Sequence, residues 1–151
     1  MQQYTSLIEE FPNDATAYHR LAVLRDEHGS SEASAPLYRS ALKLAPLSAD
    51  ILCDYGYSRY LSGDLELAER TLRQAIELDE HLERAHNNLA LVLASQGKHE
   101  QAVASFKNAG LSQREAQENL RQSQIAARLS ATAAEELASG LATESAEPNS
   151  E

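Results

Sequence analysis

Between residues 85 and 109 two apolar runs of helical spacing flank a single glycine, Gly97. The arrangement recurs along the chain. Gly63 lies 34 residues before Gly97, and Gly29 another 34 before that. Leu21, Tyr55 and Leu89 keep the same interval, as do the small residues Ala22, Gly56 and Ala90. So do the bulky residues Tyr38, Leu72 and Phe106, and the series Ala41, Ala75 and Ala109. Apolar positions three and four apart share one stripe of a helix. A period of this length, with one glycine per copy, predicts pairs of helices stacked into a solenoid.

The pattern divides the chain into three repeats, at 13–46, 47–80 and 81–111. In the first, Asp14 is placed to cap a helix running to about His28, and Gly29 ends it. Pro36 would interrupt a second helix that began at Ser30, so that helix is expected to start late, with Ser34 as its cap, or to bend. Residues 1–12 look like the second helix of a preceding repeat, because Tyr4, Leu7 and Pro12 lie 34 before Tyr38, Ala41 and Pro46. Tyr4, Leu7, Ile8 and Phe11 would form its apolar face, and its own first helix is missing. The segment would fray, pair weakly with a second copy of the chain through the N-terminal edge, or be completed by an upstream helix, and the last is the expectation. After Gly110, Ser112 and Glu115 form a capping box that opens a closing helix over 112–138. Its inward line is expected to be Ala116, Leu120, Ser123 and Ala127. Residues 139–151 are expected to be a disordered acidic tail.

At these positions the chain resembles the tetratricopeptide repeat family. The family's pattern of an aromatic residue, Leu-Gly, Tyr, a turn Gly, then Ala, Phe, Ala and Pro is matched in phase over about Ala15 to Arg114. Departures occur at the opening aromatic, which is Tyr18, Leu52 and then His86. They occur also at the closing proline, which is Pro46, Glu80 and then Arg114. The third copy further resembles bacterial repeat proteins such as those of tight-adherence pilus assembly. The resemblance implies an all-α, right-handed solenoid of helix-turn-helix repeats with a C-terminal capping helix. It implies a non-catalytic scaffold or adaptor that holds a protein or peptide partner in a concave groove. Two other roles fit the same resemblance: a regulatory or targeting module of a larger protein, an enzyme included, and a self-associating scaffold.

In the family the first helix of each repeat lines the groove. By phase that assigns His19, Arg20 and Val23 from the first repeat, and Cys53, Asp54, Tyr57 and Tyr60 from the second. Arg84, Asn87, Asn88 and Leu91 come from the third, with Arg121 and Ile125 from the closing helix. The family's clamp for a terminal carboxylate is not reproduced, since only Arg84 resembles it and Asp54 would repel the ligand. The asparagine ladder of the sugar-transferase arrays is reduced to Asn88 alone. Tyr57 and Arg84 together suggest an aromatic shelf beside one cation, facing an acidic group of the partner.

Charge narrows the partner class. The net charge is −10, half of it carried by Glu135, Glu136, Glu144, Glu147 and Glu151 in a tail without a base. No basic cluster is present to neutralise phosphates, so nucleic acid is not the expected ligand. The longest apolar runs fall well short of a membrane span, so no membrane insertion is expected. One cysteine, Cys53, makes no internal disulfide. Without the basic start and apolar run of a signal peptide the default compartment is the cytoplasm, and the periplasm or envelope if the chain is a fragment of an exported protein. The five histidines lack metal-ligand spacing, so no metal or other cofactor is expected. A Cys53–His19 pair has no third group to orient it, and no catalytic residues are assigned.

Overall fold

The computed structural model describes residues 6 and 8–144, and side chains among them as far as Leu137. Tyr4, Leu7 and the tail 145–151 lie outside the described residues. Residues 8–10 are helical, and Ile8 is half-buried while Phe11 is 51% exposed. Helices then follow one another to the end: α1 (Ala15–Glu27), α2 (Ser31–Leu44), α3 (Ala49–Leu61), α4 (Leu65–Leu78), α5 (Glu83–Ser95), α6 (His99–Asn108) and α7 (Gln113–Glu144). No strand occurs among the described residues.

Local chemistry sets the boundaries. The Asp14 carboxylate accepts the Thr16 N–H at 2.8 Å, and Asp64 does the same for Leu67 at 3.2 Å. Ser112 and Glu115 bond reciprocally at the start of α7, at 3.3 and 2.8 Å, and those bonds hold the Glu115 carboxyl below its usual range. The turn inside each repeat, and the one before α7, closes through a glycine at positive φ: 71° at Gly29, 82° at Gly63, 76° at Gly97 and 88° at Gly110. The residue after each glycine donates its N–H five residues back, as in Ser30 to Arg25 at 2.9 Å and Lys98 to Leu93 at 2.8 Å. This recovers a helix-end carbonyl that would otherwise lack a partner.

One expected boundary is corrected. α2 begins at Ser31 and carries Pro36 inside it. Pro36 and Glu32, whose carbonyl loses its bond, both lie on the exposed face, where water can satisfy it. The inner face of the same turn is held elsewhere. Ser34 is fully buried and donates to Asp26 at 2.6 Å, rather than capping the helix. Tyr38 and Ser58 also donate to Asp26, at 2.9 and 3.0 Å. One carboxylate on α1 thus ties α2 and α3 to it, and burial followed by that carboxylate pushes the Tyr38 hydroxyl far above its usual range. Arg59 of α3 donates to the Ser31 carbonyl at 2.6 Å and lies over the Tyr55 ring.

The helices pack in two layers. Each touches its chain neighbours, and α1 meets α3, α3 meets α5, and α5 meets α7. The second helices α2, α4 and α6 make no such contacts with one another, so the stack curves toward α1, α3 and α5. The result is an α-solenoid. Leu72, Leu89, Val92 and Leu93 fill the seam between the second and third repeats. Phe106 is 1% exposed between Ala90 of α5 and Ala116 of α7, as its repeat position requires.

The closing helix departs from expectation in length. It runs on to Glu144, past the Ser139 at which disorder was expected. Ala116 is buried and Leu120 and Ser123 are half-buried, but Ala127 is exposed, not inward. The reason is reach: a helix of 32 residues outlasts the 13 and 10 of α5 and α6, and its second half has nothing to lie on.

Candidate partner-binding face

Side by side, α1, α3 and α5 form the inner layer, and a polar ladder crosses it. His19 on α1 lies 2.8 Å through Nε2 from Asp54 Oδ2 on α3. Arg84 at the start of α5 reaches back to both Asp54 and Asp50, at 2.8 and 2.7 Å. Ser48 caps α3 through the Ile51 N–H at 3.4 Å and so fixes the first turn that carries Asp50. Burial alone would raise the Asp54 carboxyl, but hydrogen bonds from His19 and Arg84 overcome it and hold that carboxyl below its usual range. The guanidinium moves in the complementary direction. Burial would lower Arg84, and its bonds to Asp54 raise it.

The ladder changes what Arg84 can do. Sequence reasoning made it a free cation awaiting an acidic group, but two carboxylates of its own chain already hold it. His19, Arg20, Asp50, Asp54 and Arg84 line one open depression of about 550 Å³ at this edge of the layer. Its charges are largely matched within the protein.

Cys53 does not line the face. It is fully buried in the apolar seam, where burial pushes its thiol up to about 11, so its side chain is not presented to the groove. Asn88 covers it, with its amide 3.6 Å from the sulfur. Val23, Tyr60 and Leu91 are half-buried against the three core clusters and divide their surface between core and face. Asn87 is half-buried, while Arg20, Arg121 and Ile125 stand exposed. Tyr57 is 38% exposed and stacks on Tyr60 at 5.9 Å between ring centroids. Leu61, one turn on from Tyr57, is 51% exposed.

Asp50 was missed from the sequence, although a signal for it exists. Asp50 and Arg84 are 34 residues apart, while His19–Asp54 and Cys53–Asn88 are 35 apart. Residues one repeat apart, or one repeat and a residue, meet across the seam between first helices. Among the described residues no group of three His, Cys, Asp or Glu side chains is placed to hold a metal ion, and no helix is long and apolar enough to cross a membrane.

Comparison with known proteins follows the same geometry. Residues 56–97 match the family model described as TPR repeat. Human tetratricopeptide repeat protein 7A is 30% identical over 99 residues, which is 66% of this chain but only 12% of that protein. The chain therefore spans a small part of that relative's length. Among solved structures, MamA superposes with a TM-score of 0.67 at 20% identity, covering 91% of this chain and 87% of its own. The pilF protein of Pseudomonas aeruginosa superposes with a TM-score of 0.65 at 28% identity, covering 70% of this chain and 49% of that one.

Proposed function

Because the chain belongs to the tetratricopeptide repeat family, we propose that it is a protein-binding scaffold whose inner layer, α1, α3 and α5, holds a segment of another protein. The observation that carries this is the Tyr57 shelf. An aromatic ring stands partly in water on a helix whose other faces are packed, stacked on Tyr60 and followed by exposed Leu61. Rings of this kind offer a large apolar area with few torsions to freeze, and a hydroxyl that still bonds. They recur among the few residues that dominate binding energy.

The reading involves no catalytic step. His19 is engaged with Asp54, and the Cys53 thiol is buried and held protonated. The ladder serves to fix the spacing of α1, α3 and α5, so the face is preorganised before a partner arrives. The test is a binding measurement with a partner recovered by affinity capture. Tyr57→Ala should weaken binding about tenfold or more, the loss typical of a central aromatic contact, and leave the melting temperature nearly unchanged. Leu47→Ala, at a residue 78% exposed in the turn between repeats, serves as control. Unchanged affinity in Tyr57→Ala, or a larger loss in Leu47→Ala, would move the binding surface elsewhere.

A further inference from the structure

α7 leaves the body after Gln124. That residue still touches His99 of α6 at 3.4 Å, but every side chain from Ile125 to Leu137 is exposed. Those 13 residues, or roughly 20 Å of helix, stand free of the stack. Along them runs an apolar stripe at four-residue intervals: Ile125 at 42% exposed, Leu129 at 67%, then Ala133, and Leu137 at 70%. Such a stripe on one face of a helix is the pattern of a surface meant to be covered. The stack covers none of it.

The flank of the stripe says what fits. Arg121 and Arg128 precede Glu135 at seven-residue intervals, so all three lie on the same side of the stripe. Positive charge comes first and negative charge last. A second α7 laid antiparallel across the first brings the two ends together with opposite signs. With the two-fold axis between Ala131 and Thr132, Arg128 of one copy falls opposite Glu135 of the other, and the reverse. In that register Leu129 comes within about one residue of Ala133, and Ile125 within about one residue of Leu137, so large side chains face small or staggered ones. A parallel pair would set Arg128 against Arg128 and Glu135 against Glu135. We propose that the projecting half of α7 is a self-association surface, pairing antiparallel with α7 of a second copy of this chain.

Ile125, which phase assigned to the groove, belongs to this surface, but α7 makes no contact with α3, which carries Tyr57, so a dimer made through α7 keeps two Tyr57 faces. Two faces joined this way can hold two segments of one partner far longer than either face alone, if the geometry allows both to engage.

Sedimentation equilibrium of the full chain over a wide concentration range tests the pairing, with circular dichroism melts as the folding control. The wild-type protein should shift from monomer to dimer mass as concentration rises. Leu129→Glu should leave the melt of the repeats intact and raise the dimer dissociation constant tenfold or more. Arg128→Glu should weaken the dimer severalfold by facing Glu135 with a like charge, and Arg128→Glu with Glu135→Arg should restore it. A wild-type chain that stays monomeric overturns the proposal and leaves the stripe to another protein segment. A dimer that survives Leu129→Glu overturns it as well, since the contact would then lie elsewhere. So does a charge exchange that fails to restore association.

Discussion

Gly56 sits in the middle of α3, where helix propensity and packing pull in opposite directions. Replacing glycine by alanine within a helix is worth about 1 kcal/mol in favour of alanine. At this site the new methyl would lie 2.6 Å from Leu72 Cγ, 3.1 Å from its Cδ2 and 3.3 Å from its backbone nitrogen. Carbon atoms rest comfortably at about 3.5–4 Å, so something must move by roughly 1 Å. Leu72 cannot easily give way. It is 0% exposed, and the clash is at its branch point rather than at a free methyl end. Overpacking of this kind typically costs about 1–3 kcal/mol. Gly56→Ala should therefore destabilise the protein by a net of up to ~2 kcal/mol, a fall in melting temperature of up to roughly 8 °C for a domain of this size. Thermal and urea unfolding would measure it. In the double variant Gly56→Ala, Leu72→Ala the clash disappears, so the combined loss should be smaller than the sum of the two single losses. A rise in melting temperature on Gly56→Ala would refute the reasoning, because propensity would then outweigh contact.

Two further outcomes follow from the packing and the charges. Phe106→Ala should cost about 3–5 kcal/mol in urea unfolding, the usual loss for a buried aromatic, and a cost below about 1 kcal/mol would mean the ring is not wedged between α5 and α7. Glu69 accepts hydrogen bonds from Lys98 and Arg73, at 2.8 Å each, and that pairing takes its carboxyl from 4.5 to about 2. Because the folded value is the lower one, its stabilisation is present above about pH 4.5 and drains away as pH falls toward 2. Glu69→Gln should make the acid limb of stability shallower over that window, and an unchanged limb would show that the pairing is not held in solution.

Much of the repeat framework was legible because its signals are local or periodic. A glycine at positive φ, a carboxylate two residues before an N–H, and the Ser112–Glu115 box each act within a few positions. The 34-residue period carries the packing of Phe106 and Leu72. What escaped depended on contacts across repeats between unlike residues. Asp26 gathers Ser34, Tyr38 and Ser58 from as far as 32 positions away, and no periodic pattern marks that set. That network also accounts for Ser34, which sequence alone assigned to a cap that Pro36 seemed to require. On the candidate face, Tyr57 is exposed and Cys53 is buried, although both lie on α3 and only four residues separate them. Phase places a residue on a helix, but a few tens of degrees of rotation decide whether it meets water or the next helix. Arg84 was found by phase, but its two carboxylate partners were not weighed against it.

The two seams of the stack carry different kinds of polar contact, and salt acts on them differently. Between the first and second repeats, Ser58 donates to the Asp26 carboxylate, Arg59 donates to the Ser31 carbonyl and His19 meets Asp54, all of them partly buried. Between the second and third, the apolar seam of Leu72, Leu89, Val92 and Leu93 is flanked by exposed ion pairs, Arg84 with Asp50 and Asp54 and Lys98 with Glu69. Dissolved salt screens exposed charges strongly and buried ones much less. In concentrated salt the second joint therefore gives up more of its polar hold than the first. The third repeat would stay docked through its apolar seam while Arg84 and Lys98 slackened, so the inner face would gain play at its far wall.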